Sequence, residues 1–124
     1  MFIWILFLHW VGDFLLQSGK VAAKKHKDFS VLCDHICIYW AVLGIGTAFS
    51  LPWGHDTIPW IGGDVNWMAF MVINCFAHLA LDFGSSKLTA YLYSKNRIHD
   101  FFTVIGFDQF LHVALLYLTY TWLT

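Results

Sequence analysis

The sequence predicts an all-α integral membrane protein, a four-helix bundle with both termini on the outer side. Hydrophobic residues make up 59 % of its 124 residues and charged residues only 12 %. A soluble domain of this size could not bury so much apolar surface, so we expect lipid to be its solvent. Ionisable pairs spaced i, i+4 interrupt three of the apolar runs, and the order of the third pair is reversed: His9/Asp13, His78/Asp82 and Asp108/His112.

Four apolar runs predict four helices in a single transmembrane domain spanning residues 1–124. Helices that cross a bilayer are roughly 17 to 25 residues long, so the first run is at the short limit. That run is as short as a signal peptide. It lacks a basic amino-terminal region and contains His9 and Asp13, so we expect it to be retained. The predicted helices cover about residues 2–17, 31–53, 65–86 and 101–123.

The basic residues predict the orientation, because all of them fall in the first and third loops: Lys20, Lys24, Lys25, Lys27, Lys87, Lys95 and Arg97. The middle loop carries Asp56 and Asp64 instead. The positive-inside rule places the basic loops in the cytoplasm and the termini outside, across the inner (cytoplasmic) membrane of a bacterium. The tryptophans expected at the outer boundary agree with this orientation: Trp4, Trp53, Trp60, Trp67 and Trp122.

The reversed order of the third pair brings the three pairs to a common depth. Residues four apart lie about 6 Å apart along one helix face. The first and third helices run inward and the fourth runs outward, so the aspartates form one layer and the histidines a deeper one. His35 enters the second helix at the aspartate level. Ionisable residues inside a membrane are rare and usually functional. We therefore predict one buried site with seven metal ligands: His9, Asp13, His35, His78, Asp82, Asp108 and His112.

The composition of this site suits two divalent ions. Four imidazoles and three carboxylates exceed the ligand set of a single zinc ion and suit two ions with a shared carboxylate. Nitrogen and oxygen donors without thiolate fit zinc, manganese or iron. Haem is disfavoured, because the aspartates would be badly placed beside a porphyrin. The candidate catalytic groups are Asp13, Asp82 and Asp108, and the residues expected to orient the ligands are Gln17, Asn74, Ser86 and Gln109.

The motifs that carry these residues are His9-Trp-x-x-Asp13-Phe-x-Leu-Gln17, a lone His35, His78-x-x-x-Asp82-Phe and Asp108-Gln109-x-x-His112. Together they resemble the small membrane proteins of bacteria and phages in the domain-of-unknown-function family 3307. The resemblance covers nearly the whole chain and implies this fold and this site, without implying an activity. More loosely, the His-x-x-x-Asp helices are similar to predicted membrane-bound metal-dependent hydrolases.

The leading functional hypothesis is a metal-dependent hydrolase that acts on a phosphoester or lipid at the cytoplasmic leaflet. Metal ions would activate water and polarise a phosphoryl or acyl oxygen. Lys87, Lys95 and Arg97 would be available to an anionic headgroup. A divalent cation or proton transporter or channel is the alternative. A structural or lysis-type membrane protein with a polar core is the second alternative. The expected partners are the bilayer, an anionic lipid or phosphoester substrate, and a second copy of the chain. A net charge of −1 disfavours nucleic acid.

Overall fold

The structure, a computed structural model, describes residues 2–48 and 65–123, and these ranges contain helices and short connections. The first helix continues directly into a π-helical segment, Val11–Leu15. The α-helices are α1 (Phe2–Trp10), α2 (Gly19–Lys24), α3 (Phe29–Ala48), α4 (Val65–Ser94) and α5 (Ile98–Leu123). The all-α part of the prediction is confirmed.

Three of these helices are long and apolar enough to cross a membrane, over Phe29–Ala48, Trp67–Ser94 and Ile98–Leu123. The apolar stretch Phe2–Leu15 is shorter. At about 1.5 Å per residue it reaches roughly 20 Å, less than the roughly 30 Å of a hydrocarbon core. Residues 2–48 and 65–123 therefore contain three candidate membrane spans and one shorter apolar helix, where the sequence predicted four spans.

The hairpin between α4 and α5 lies further from the bundle centre than the sequence indicated. α4 continues to Ser94, past the expected end near residue 86, and α5 begins at Ile98. Asn96 ends α4 in the left-handed region with φ 54°. Backbone N–H groups of Arg97 and Asn96 donate to Leu92 and Tyr93, each at 3.0 Å, in a Schellman-type cap. Lys87, which was expected in a loop, therefore lies inside α4. The expected end of the second helix, at 53, lies outside the described residues.

A closed bundle is formed by α1, α3, α4 and α5, and each of these helices is antiparallel to its two neighbours. On one side α1 packs against α3, where Trp4 Nε1 donates to the Gly46 carbonyl at 3.1 Å. On the other side it packs against α5, where the rings of Phe2 and Tyr117 are 5.2 Å apart. α4 contacts both α3 and α5 and so completes the ring.

The interior of the bundle changes from apolar to polar along its axis. The end at which α1 begins holds the apolar core: Ile5, Leu8, Tyr39, Leu43, Phe70, Met71 and Leu116. Below it the buried side chains are mostly histidine and aspartate. The outer surface is apolar, with Ile3 and Trp122 each 81 % exposed. A polar interior inside an apolar surface is the reverse of a soluble domain and is consistent with a membrane protein.

Candidate metal centre

All seven residues predicted as ligands are buried in the middle of the bundle, each 9 % exposed or less. The histidine layer is present: the ring centroid of His112 lies 4.3 Å from that of His78 and 5.6 Å from that of His9. The first and second His/Asp pairs thus contribute histidines from α1 and α4. Both lie close to the histidine that the third pair contributes from α5. The reversed residue order of the third pair predicts this proximity of the three histidines.

Asp13 reaches the bundle interior from the π-helical segment, where Leu16 N–H donates to the Val11 carbonyl at 2.9 Å. Single π-helical turns occur frequently at functional sites, because the extra residue changes the direction of a side chain. The preceding residue, Gly12, allows close approach to α3. A Cβ atom at Gly12 would lie 3.0 Å from Tyr39 Cδ2 and 3.3 Å from Tyr39 Cα. The absence of a side chain at Gly12 therefore sets how near Asp13 comes to α3.

The described residues include two groups that could hold a metal ion, and in the first of them four ligand atoms converge, from Asp13, His35, His78 and Asp82. His35 Nε2 lies 3.1 Å from Asp13 Oδ1, 3.3 Å from Asp82 Oδ2 and 3.4 Å from His78 Nε2. His78 Nε2 lies 3.5 Å and 3.7 Å from the same two oxygens. A tetrahedral zinc site with ligands at about 2.0–2.1 Å sets neighbouring ligand atoms roughly 3.3–3.4 Å apart. The observed separations are close to this spacing, so these four residues could hold one ion.

The second group consists of Asp82, Asp108 and His112, so Asp82 belongs to both. His112 Nδ1 donates to the Asp108 carbonyl at 2.9 Å, which leaves the lone pair on Nε2. That Nε2 atom is buried, has no hydrogen-bond partner among the described residues and lies 4.0 Å from Asp82 Oδ1. A backbone carbonyl that fixes one ring nitrogen is the usual way to present the other to a metal.

His9 is outside both groups, although the sequence predicted it as a ligand. Its Nε2 lies 3.2 Å from Gln109 Oε1, which only accepts, so this nitrogen donates. Its Nδ1 then accepts from the Tyr39 hydroxyl at 3.2 Å. Both ring nitrogens are used, and the i, i+4 spacing that brings His9 near Asp13 leaves a 4.0 Å separation between Nε2 and Oδ2.

The residues expected to orient the ligands divide into three cases. Gln109 does so, because its Nε2 donates to Asp13 Oδ2 at 2.9 Å and to Asp108 Oδ2 at 3.2 Å. Asn74 does not reach the site, because its amide donates to Thr119 Oγ1 and the Phe70 carbonyl, each at 2.8 Å. The third case comprises Gln17 and Ser86, which line a cavity beside the site.

Two residues of the site were missed by the sequence reasoning. The Tyr39 ring stacks on that of His78 with centroids 3.9 Å apart, and its position four residues after His35 was the signal for a shared helix face. Lys25 follows α2 and forms an ion pair with Asp82 Oδ2 at 2.8 Å. No helical periodicity pointed to Lys25, because the contact depends on the path of a connecting segment. The sequence used this residue only as an orientation signal.

A cavity of about 640 Å³ leads from the carboxylates of the cluster toward the segment that connects α1 to α3. Asp13, Asp82 and Asp108 lie at its buried end, and exposed residues such as Lys27 and Tyr93 line the opposite end. The basic residues expected to hold a headgroup do not line it. Lys87 Nζ lies over the Phe83 ring at 3.5 Å, Lys95 Nζ lies 5.8 Å from the centroid of Tyr91, and Arg97 pairs with Asp100 at 2.7 Å.

The charge and the unpaired atoms of the cluster both fit a cation. Three carboxylates face one ammonium, that of Lys25, and uncompensated buried charge is costly. His78 Nδ1, His112 Nε2 and Asp108 Oδ1 are buried without a hydrogen-bond partner among the described residues. Cys33, Cys37 and Cys75 belong to neither group, in agreement with the nitrogen and oxygen donor set. A divalent ion that takes nitrogen and oxygen ligands suits this arrangement.

Comparison with known proteins adds a family to this description. No curated protein and no solved structure matches the chain. The family described as "Protein of unknown function (DUF3307)" matches it over residues 1–124. That description carries no activity, so the chemistry is argued from the site. Because the match covers the whole length, this chain belongs to the DUF3307 family.

Proposed function

We propose that this protein is a membrane-embedded metal-dependent hydrolase that acts on a phosphoester or lipid at the cytoplasmic leaflet. One observation carries the proposal. Four ligand atoms from Asp13, His35, His78 and Asp82 converge at separations suited to one ion, at the buried end of a cavity. Sites that only hold helices together have no need of a cavity that reaches their carboxylates.

The seven predicted residues take different roles in this proposal. Asp13, His35 and His78 would hold one ion, Asp108 and His112 would hold a second, and Asp82 would be shared because it belongs to both groups. Bound zinc, manganese or iron lowers the pKa of water and polarises a phosphoryl or acyl oxygen. Asp108 would be the candidate base through Oδ1, which is buried without a hydrogen-bond partner among the described residues, while its other oxygen would be the one available to the second ion. His9 fixes the Gln109 amide, which in turn orients Asp13 and Asp108.

The location of the cavity supports action from the cytoplasmic side. It is lined by Lys25 and Lys27, and it lies at the end of the bundle where the basic residues are concentrated. The positive-inside rule places that end in the cytoplasm and the start of α1 outside. The apolar outer surfaces of α3, α4 and α5 support insertion in the membrane.

Conduction through the bundle is less well supported, because the apolar core fills the bundle on the other side of the cluster. Leu43, Phe70 and Leu116 are each 2 % exposed or less there. Among the described residues, the space next to His78 and His112 on that side amounts to about 10 Å³. That is about one water-sized void, so the described residues leave no continuous space for an ion on that side.

Elemental analysis tests the proposal on protein purified in mild detergent without chelator or histidine tag. We expect about two equivalents of a transition metal in the wild type and a loss in Asp82→Asn and His78→Gln. Asp34→Asn is the matched control, because Asp34 is exposed and precedes His35 in α3. The metal-loaded protein is then assayed against phosphoesters and phospholipids.

Two results would reject the hydrolase. If folded wild-type protein contains no metal and takes up none, the His/Asp cluster is not a metal centre. Metal-loaded protein without turnover, but with ion flux in liposomes that Asp82→Asn abolishes, would replace hydrolysis by transport.

A further inference from the structure

We propose that the cavity binds a phosphate-bearing amphiphile, with Lys25 as the contact for its phosphate and the apolar walls as the contact for its chain. This deepens the proposed function, and it rests on that function in taking the buried end of the cavity as the reaction site. The lining supplies three features that such a ligand needs: a cation near the carboxylates, a continuous apolar wall and unpaired polar atoms between them.

Lys25 is the cation best placed for the phosphate. Its side chain is 14 % exposed, and its Nζ lies 2.8 Å from Asp82 Oδ2. An ammonium has three donors, and this is the one hydrogen bond that Lys25 Nζ makes within the described residues. Two donors are therefore left for an anion beside the candidate metal centre. Asp82 Oδ2 also belongs to the first ligand group, so a metal ion on that oxygen would free Lys25 further.

The walls explain why the ligand has an apolar part. Phe14, Ala22, Ala23, Phe101 and Ile105 line the cavity. Phe14 is 47 % exposed on the outer surface of the bundle, which connects this wall to the region that lipid chains would occupy. A free phosphate would leave these apolar surfaces in water. A chain that covers them contributes roughly 25 cal/mol for each Å² removed from water.

Unpaired polar atoms line the space between the two ends. Ser86 is 8 % exposed, and its hydroxyl has no hydrogen-bond partner among the described residues. Gln17 Oε1 is buried and unpaired in the same way, and both residues line the cavity. Buried polar groups without partners are rare in native proteins, and a ligand that supplies the partner explains them. The Ser86 hydroxyl can donate to an ester or phosphoryl oxygen.

The cavity size agrees with this ligand class. Sites for small molecules usually have volumes of roughly 300–1,000 Å³, with mainly apolar walls and a few polar groups. The cavity measures about 640 Å³. A phosphate with part of an alkyl chain falls in this range.

The test is a binding titration with decyl phosphonate, whose carbon–phosphorus bond resists hydrolysis. Binding is measured as the shift of the protein's unfolding temperature in non-ionic detergent. Inorganic phosphate and decyl glucoside are the two partial ligands. Decyl phosphonate is expected to bind at least about tenfold more tightly than either, and Lys25→Met is expected to remove at least about tenfold of that affinity. Lys24→Met is the matched control, because Lys24 is exposed and does not line the cavity.

A second variant tests the apolar wall separately, in case Lys25→Met fails to fold. Ala22→Trp places an indole in the cavity, so it should weaken decyl phosphonate and leave the metal content unchanged. Equal binding of inorganic phosphate would overturn the amphiphile, and undiminished binding in Lys25→Met would overturn the role of Lys25.

Metal analysis of the same samples separates this inference from the proposed function. If the protein contains no metal but still binds decyl phosphonate through Lys25, the ligand site is supported and the metal-dependent hydrolase is rejected. A metal-loaded protein that does not bind decyl phosphonate retains the metal centre and rejects the ligand.

Discussion

Replacing Gly12 by alanine tests whether the close approach of α1 to α3 positions the candidate centre. The added Cβ would lie 3.0 Å from Tyr39 Cδ2 and 3.3 Å from Tyr39 Cα. Carbon atoms in favourable contact are about 3.5–4.0 Å apart, so the two helices must separate by roughly 0.5 Å. The Tyr39 ring has little freedom to turn away, because it is 1 % exposed and stacks on the ring of His78 at 3.9 Å.

Both stability and metal affinity should decrease in this variant. Overpacking typically costs about 1–3 kcal/mol, and the higher helix propensity of alanine offsets about 0.8–1 kcal/mol of it. Asp13 is the next residue, so it moves with the backbone relative to His35. Functional geometry tolerates roughly 0.5 Å, and disturbed ligand orientation lowers metal affinity by about 10–100-fold. We therefore expect a net loss of about 1 kcal/mol in stability and about tenfold in metal affinity.

Thermal unfolding in detergent and a metal titration measure the two effects. Gly106→Ala is the control, because a Cβ at Gly106 in α5 meets nothing within 4 Å. This variant should be neutral or more stable, by up to about 1 kcal/mol. If Gly12→Ala matches Gly106→Ala in both measurements, the contact at Gly12 does not determine the position of Asp13 and the reasoning is wrong.

Three further predictions concern the centre itself. Lys25→Met should tighten metal binding by roughly tenfold in a calorimetric titration, because the competing cation on Asp82 is removed, and unchanged affinity would contradict this. His9→Gln should keep the full metal content by elemental analysis, whereas His78→Gln should lose metal; equal losses would return His9 to the ligand set. Chelation should lower the unfolding temperature, since metal at 100 times its Kd stabilises by about 2.7 kcal/mol, and an unchanged temperature would argue against a bound ion.

The convergence of the ligands was predictable because it depends on helix periodicity and helix direction alone. Side chains at i and i+4 share a face, and an antiparallel helix must carry the pair in reverse order. The structure places the rings of His78 and His112 4.3 Å apart and His35 Nε2 within 3.1 Å of Asp13 Oδ1. Gln109 was included only because it follows Asp108 in the sequence.

The membership of the two candidate groups was not predictable, because it depends on local deviations from helix periodicity and on hydrogen-bond competition. The π-helical segment changes the angle between His9 and Asp13, and the Tyr39 hydroxyl occupies the His9 nitrogen that a metal would need. The contact of Lys25 with Asp82 joins residues 57 positions apart through a non-periodic connection. Asn74 continues the face of His78 but lies one turn too far toward the apolar core.

The charges of the cluster connect the metal centre to the proposed ligand. Three buried carboxylates face one lysine, so the cluster carries two negative charges too many for a low-dielectric interior when its histidines are neutral. Asp82 Oδ2 is shared by Lys25 at 2.8 Å and by the first ligand group, so the metal ion and the ammonium compete for one atom. A divalent ion on this oxygen would neutralise the excess charge and leave the Lys25 ammonium available to the cavity. An anion entering the cavity meets carboxylates before metal loading and cations afterwards. Metal loading should therefore tighten the binding of a phosphate, and this effect follows from the position of a single oxygen.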